Sequence, residues 1–366
     1  MSSHVPTVAI AARTVVLSGV LVSSIALPAA ASKFALQEVV ETTMLAQDTV
    51  EADEPDASSS NWSVSAELLL LDREVIDTTT TLDRNTDEEF GTESLGFEFD
   101  PGTRLTLNYH LSPRDSLEIT GLGFVNHSDE DTFTSSIQSP GGEVLAAAFE
   151  PDATDPAASN FAQAFQQTLD YSSEATNVEL GYRHTLPRAS SGWQGSFLAG
   201  LRYFNLDEDL TFRSIDEDPE IFPSTSVGRY SIDTDNEAIG IQIGGDLSYQ
   251  VSSDFEASLR LRTGLLLNSA SQESRIRNDI GGSIVTTSGD ESETELSPVV
   301  EVGAFLNWNV SPDVSLSAGY MLLLLGNMAL APDQFATSND FGRSLSGLER
   351  DSVLFHGPSF GLRVRF

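Results

Sequence analysis

The chain has 366 residues, with 19 basic against 55 acidic side chains and a formal net charge of −36. A surface this acidic repels nucleic acid and excludes DNA or RNA as partners. Hydrophobic content is 40% and cysteine is absent, which excludes a bundle of membrane helices, disulfides and thiolate metal sites. A transmembrane β-barrel passes both filters, because only alternate residues of each strand need be apolar.

Residues 1–31 have the order of an export signal. Arg13 supplies a positive charge, Thr14 to Leu27 form a mainly apolar run too short to cross a bilayer as a helix, Pro28 breaks it, and Ala29-Ala30-Ala31 offer small residues for cleavage. Residues 32–60 are acidic and rich in Ala, Ser and Thr, as in Glu51 to Asp56, and predict a flexible leader. From residue 61 to residue 366 the texture changes to polar–apolar alternation, broken by turn residues.

Ten alternating segments follow in chain order. Their apolar faces carry Val64, Ala66 and Leu68; Leu105, Leu107 and Tyr109; Leu117 and Ile119; Val178, Leu180 and Tyr182; and Phe197, Ala199 and Leu201. The later five carry Ile239, Ile241 and Ile243; Phe255, Ala257 and Leu259; Val300, Val302 and Ala304; Val314, Leu316 and Ala318; and Phe360, Leu362, Val364 and Phe366. In lipid every backbone polar group must bond within the protein, so such strands can cross only as a closed barrel. The fold expected is all-β: an antiparallel up-and-down transmembrane barrel of about ten strands, with 8–12 allowed.

Tight connections, such as Ser112 to Arg114 and Ser311 to Asp313, alternate with long ones at 72–100, 127–171, 214–227, 270–292 and 329–351. Short periplasmic turns and long external loops are the outer-membrane pattern. Placed in that order, Trp62, Tyr109, Tyr182, Trp193, Tyr249, Phe255, Trp308 and Phe366 fall at the periplasmic end and predict an interfacial girdle. Within the 127–171 connection, Phe161, Phe165 and Leu169 recur every four residues. An amphipathic helix over Ala157 to Ser172 and a mobile loop are equal expectations there.

The run Asn177-Val-Glu-Leu-Gly-Tyr-Arg183, then Trp193 and Leu198 to Glu208, resembles the Legionella-type pore-forming major outer-membrane proteins and their planctomycete relatives. The opening Trp62 to Leu71 and the closing Phe360 to Phe366 look like that family's first and last strands. The resemblance implies a pore in a bacterial outer membrane, without a residue-level site. The long acidic loops and the cysteine-free chain depart from the Legionella members.

The polar face of the alternation places Glu67, Arg104, Glu118, Glu179, Arg183, Arg202, Asp246, Glu256, Arg260, Arg262, Glu301, Arg363 and Arg365 in the lumen. Two readings stand open. The charges pair across a narrow interior and hold it shut, or they stay hydrated and line a channel. Barrel width grows with strand number, so about ten strands favour the narrow case, whereas the resemblance favours the pore. The function expected is a porin-like pore for ions or small solutes. The alternative is a closed barrel anchoring acidic surface loops, and an outer-membrane hydrolase at the rim is more remote.

No catalytic, cofactor or metal site is expected. The chain has no Gly-x-Ser-x-Gly elbow and no His-Glu-x-x-His pair. His127 beside Asp129 and Asp131 is read as a loop histidine. Asp233 to Glu237 is the best local candidate for Ca²⁺ or Mg²⁺, yet lacks the glycine and terminal glutamate of an EF-hand loop, and is read as a solvated rim segment. The partners expected are outer-membrane lipid, small solutes or ions, and the barrel-assembly machinery through Phe366.

Overall fold

The computed structural model describes residues 61–97, 99–123, 127–136, 145–149, 159–216, 226–280, 282–335 and 348–366. The export signal and the leader, 1–60, lie outside the described residues. The strands are β1 (Trp62–Arg73), β2 (Thr79–Asp83), β3 (Glu88–Gly91), β4 (Asp100–His110), β5 (Asp115–Gly123), β6 (His127–Thr134) and β7 (Leu145–Ala147). They continue as β8 (Gln166–Thr185), β9 (Trp193–Ile215), β10 (Val227–Gln250), β11 (Phe255–Ile280), β12 (Ser283–Asn309), β13 (Val314–Met328) and β14 (Asp351–Arg365).

Ten strands form an antiparallel ring in the order β1, β4, β5, β8, β9, β10, β11, β12, β13, β14. β5 pairs with β8, and β14 returns to β1 with Ser63 opposite Arg365. The Phe366 amide donates to the Trp62 carbonyl at 3.0 Å. Closure leaves no unpaired edge in the ring at membrane depth, which is what hydrocarbon requires. β6 pairs with the upper part of β8, and β2, β3 and β7 form a separate three-stranded sheet.

The outer face near the short turns is a belt of exposed apolar residues. Ile239, Ile241, Ile243 and Leu247 project from β10, and Leu259, Leu261, Leu265 and Leu267 from β11. Ile241 is 66% exposed. In water such a continuous band would far exceed the apolar patches of soluble proteins, so lipid is its solvent. From Ile239 to Tyr249 the belt is about 25 Å tall, given a rise of about 3.3 Å per residue and the usual tilt. Its lower border carries cross-strand aromatic pairs: Trp62 on Tyr109 at 4.6 Å, Trp193 on Tyr249 at 4.9 Å, and Phe255 on Trp308 at 6.2 Å between ring centres.

Two expectations are corrected. Much of the long connections is strand: β9 to β12 run 23, 24, 26 and 27 residues, and 270–292 is the upper part of the β11–β12 hairpin. A crossing needs only about 9–11 residues, so more than half of each of these strands stands beyond the hydrocarbon. The amphipathic helix is absent among the described residues: Ser159–Phe161 make one 3₁₀ turn, and β8 already runs from Gln166. The four-residue spacing arises because Phe161 packs from that turn while Leu169 points inward from the strand; both are fully buried.

The alternation also changes phase along these strands. Within the belt of β9, Leu201 faces out and Arg202 faces in; above it Phe204, Leu206, Leu210 and Phe212 are buried inside while Asp207 and Asp209 face out. The outer solvent changes from lipid to water, and the interior changes from polar to apolar with it.

Candidate functional site in the barrel lumen

At mid-belt height the inward positions hold five carboxylates and five guanidinium groups joined in one alternating circuit. It runs Glu67–Arg104 (3.6 Å), Arg104–Glu301 (3.0 Å), Glu301–Arg202 (3.2 Å), Arg202–Glu179 (3.7 Å) and Glu179–Arg262. It continues Arg262–Glu118 (2.9 Å), Glu118–Arg183 (2.9 Å), Arg183–Asp246, Asp246–Arg260 (3.5 Å) and Arg260–Glu67 (3.5 Å), closing on itself. Arg260 also reaches Glu301 at 3.9 Å. Each carboxylate meets at least two guanidiniums, so charge is neutralised locally all round the cross-section. That is the condition under which ions persist away from water.

Two neutral amides bond to members of the circuit. Gln242 donates to Glu179 at 2.8 Å, while Asn177 donates to Glu179 at 2.9 Å and accepts from Arg202 at 2.7 Å. Glycines leave room for two of the long side chains: an added Cβ would lie 3.2 Å from Glu67 Cγ at Gly361 and 3.0 Å from Arg262 Cγ at Gly244. At Gly200 an added Cβ would lie 2.1 Å from the Leu180 carbonyl oxygen, so the backbones there approach as only glycine allows.

Above the circuit the lumen is apolar. Leu69, Leu71, Leu122, Phe204, Leu206, Leu266, Val299, Leu323, Leu325, Val353 and Phe355 form one buried cluster. Higher still, Phe133, Phe149, Phe161, Phe212, Tyr230 and Phe335 belong to a second. Between them Arg73 pairs with Glu208, both side chains fully buried, and its guanidinium lies 5.1 Å from the Tyr171 ring centre.

The segment after β13 turns inward and completes this filling. Asn327 takes a positive φ of 62°, and Ala329, Leu330 and Ala331 are fully buried. Asn236 of β10 grips the segment twice: its side-chain oxygen accepts from the Ala329 amide at 2.8 Å, and its amide donates to the Ala329 carbonyl at 2.7 Å. Glu208 accepts from the Ala331 amide at 2.9 Å. Ala331–Gln334 form a 3₁₀ turn, and Phe335 closes it.

The remaining sequence candidates lie elsewhere. Arg363 and Arg365 stand exposed at the short-turn mouth, outside the circuit. Glu256 pairs with Arg188 of the turn before β9. His127 is buried, not in a solvated loop, and its Nε2 lies 2.9 Å from the Leu71 carbonyl oxygen. Burial pushes its pKa down against that contact. Asp129 instead accepts from the Gly96 amide. Asp233 to Glu237 lie in the middle of β10, not in a rim loop. Among the described residues no three His, Asp or Glu side chains are placed to hold a metal ion.

Asp233 and Asp235 face outward above the belt, opposite Asp209 and Asp207 respectively. Burial and then the facing carboxyl push each up to about 7. Arg73, Glu208 and Asn236 were missed in the sequence because they fall beyond the belt, where the alternation has reversed. The reversal itself, Leu201-Arg202-Tyr203-Phe204-Asn205-Leu206-Asp207, is the signal that could have found them.

The profile of the family described as Legionella pneumophila major outer membrane protein precursor matches residues 55–366, and the chain belongs to that family. No curated protein matches the sequence. Among solved structures, the chain is similar to the outer membrane protease OmpT from Escherichia coli, at 10% identity over 86% of this chain and 99% of that one, with a TM-score of 0.42. It is also similar to the translocator domain of the autotransporter NalP from Neisseria meningitidis, at 14% identity over 92% and 98%, with a TM-score of 0.33. The toluene transporter TodX from P. putida matches at 10% identity over 86% and 91%, with a TM-score of 0.29.

Proposed function

We propose that this member of the Legionella major outer membrane protein family is an outer-membrane barrel that rests closed. It anchors a β-sheet extension on the outer side of the membrane and passes solute only when the inner segment Ala329–Phe335 leaves the lumen. The observation that carries this is the filled cross-section: a neutral ion-pair circuit with two apolar layers stacked above it. Hydrated ions entering an apolar layer lose their water without replacement, so such layers block conduction.

The extension lies outside the cell on this reading, because the short turns and both ends of the ring face the periplasm. Lipid is the partner of the belt, and Phe366 is the handle for the assembly machinery. The chain works without catalysis, cofactor or resident metal.

A porin-like pore is the second reading. It is favoured by a mid-barrel lining of arginine and glutamate rather than of leucine. Planar bilayers separate the two. Wild-type protein is expected to be silent at low voltage, with openings appearing in Asn236→Ala, which loses both bonds to Ala329. Steady stepwise conductance of the wild type, unchanged in the variant, refutes closure and establishes the open pore.

A further inference from the structure

We propose that the open edge of β12, from Ser283 to Thr294, is a docking edge for an extended polypeptide segment bearing cationic side chains, which adds to the sheet as a further strand. β12 pairs with β11 along its whole length, from Ser283 opposite Ile280 to Trp308 opposite Phe255. It pairs with β13 only from Val299 to Asn309. Above Val299, β12 therefore has one strand partner among the described residues, whereas β10 has two throughout. Val285, Thr287, Gly289 and Glu291 of the inner face are only half-buried, and the outward residues between them are exposed; at the lower end of this stretch Arg350 donates to the Glu293 carbonyl oxygen at 3.1 Å.

The direction of the free groups follows from the register. The Leu265 carbonyl points at β10, since a Cβ on Gly240 would meet it at 2.1 Å. Leu265 is opposite Pro298, so Pro298 likewise points away from β11, as a residue without an N–H can. The Leu296 carbonyl points the same way and accepts from Asn327 at 3.0 Å. By the period of two, the N–H and C=O groups of Ile284, Thr286, Ser288, Asp290, Ser292 and Thr294 face the open side. Among the described residues this row has no strand partner, and a row of this length is a template for strand addition.

Charge selects the occupant. On the outer face, Asp209, Asp233, Glu273 and Asp290 lie opposite one another across β9, β10, β11 and β12; nearer the tip, Arg213, Arg229 and Arg277 form a basic row that ends on β11 opposite the neutral Thr286, so of the two rows only the acidic one reaches the edge strand. Arg275 pairs with Glu273, and Asp290 is the last of the row, at the edge itself. From Ile280 to Pro298 there is no lysine or arginine, while Asp290, Glu291, Glu293 and Glu295 are acidic; Arg350 meets Glu295 at 4.0 Å, and among the described residues no cation pairs with Asp290, Glu291 or Glu293. Like charges directly opposite on neighbouring strands repel, and opposite ones attract. The raised Asp233 carboxyl is a second sign of this crowding. A second copy of the chain would bring the same acids, whereas a cationic segment would end the row with an ion pair. The inference holds whether or not the lumen conducts.

The test uses the folded full-length protein in detergent and three fluorescent decapeptides: alternating lysine and valine, the same sequence with every backbone nitrogen methylated, and alternating glutamate and valine. Only the unmethylated lysine–valine peptide is expected to bind by anisotropy and to slow hydrogen exchange over Ser283 to Thr294. Ser288→Pro removes one donor from the open side without touching the β11 ladder, and is expected to weaken that binding about tenfold, near one hydrogen bond's worth. Equal binding of the N-methylated peptide, which carries the same charge but lacks the donors, overturns strand addition. Failure of the lysine–valine peptide to bind overturns the proposal, as does a wild-type dimer that Ser288→Pro dissolves.

Discussion

Replacing Glu301 by glutamine tests the ion-pair circuit at its most deeply buried carboxylate. Glu301 is 0% exposed and is approached by Arg104 at 3.0 Å, Arg202 at 3.2 Å and Arg260 at 3.9 Å. The substitution keeps the volume but leaves five guanidiniums facing four carboxylates. The next partners, Glu67 for Arg104 and Glu179 for Arg202, lie at 3.6 and 3.7 Å, too far for a good hydrogen bond. One buried charge is then uncompensated, which costs on the order of 3–5 kcal/mol. Urea unfolding of the barrel in lipid, followed by tryptophan fluorescence, reads this loss. The paired change Arg104→Met with Glu301→Leu restores neutrality and is expected to lose less than Glu301→Gln alone. A loss below about 1 kcal/mol for Glu301→Gln refutes the reasoning, because it would mean that water already solvates these charges as it does surface pairs.

The Phe204→Ala variant removes a fully buried ring from the apolar layer above the circuit and should destabilise the barrel by about 3–5 kcal/mol in the same assay. Asp233 and Asp235 hold their protons up to about pH 7 in the folded sheet but only to about 4 when unfolded, so the fold binds more protons between these limits. Stability of the extension should therefore fall as pH rises from 4 to 7, and Asp233→Asn with Asp235→Asn should flatten that slope in amide exchange. Trp62, Trp193 and Trp308 are each more than 40% exposed at the lower border of the belt. Lipids brominated near the headgroup should quench them more than lipids brominated at the chain ends; the reverse order would remove the girdle from the interface.

The ring of ten strands, the aromatic border and the ten members of the ion-pair circuit were all legible in the sequence. At belt height the contrast between lipid outside and a polar lumen inside is written residue by residue, as in Ile239 to Tyr249. Beyond the belt the same strands read as loops. Water replaces lipid outside, and the contrast reverses through Asp207, Glu208 and Asp209, where even the inward residue is charged. Local periodicity cannot show that Glu208 is buried against Arg73, since those residues are 135 positions apart and meet only across the closed cylinder. Which guanidinium meets which carboxylate, and whether the lumen is open or filled, depend likewise on strand register and on the inward fold of Ala329–Phe335. Alternation fixes which way a side chain points, and only closure of the ring fixes what it meets.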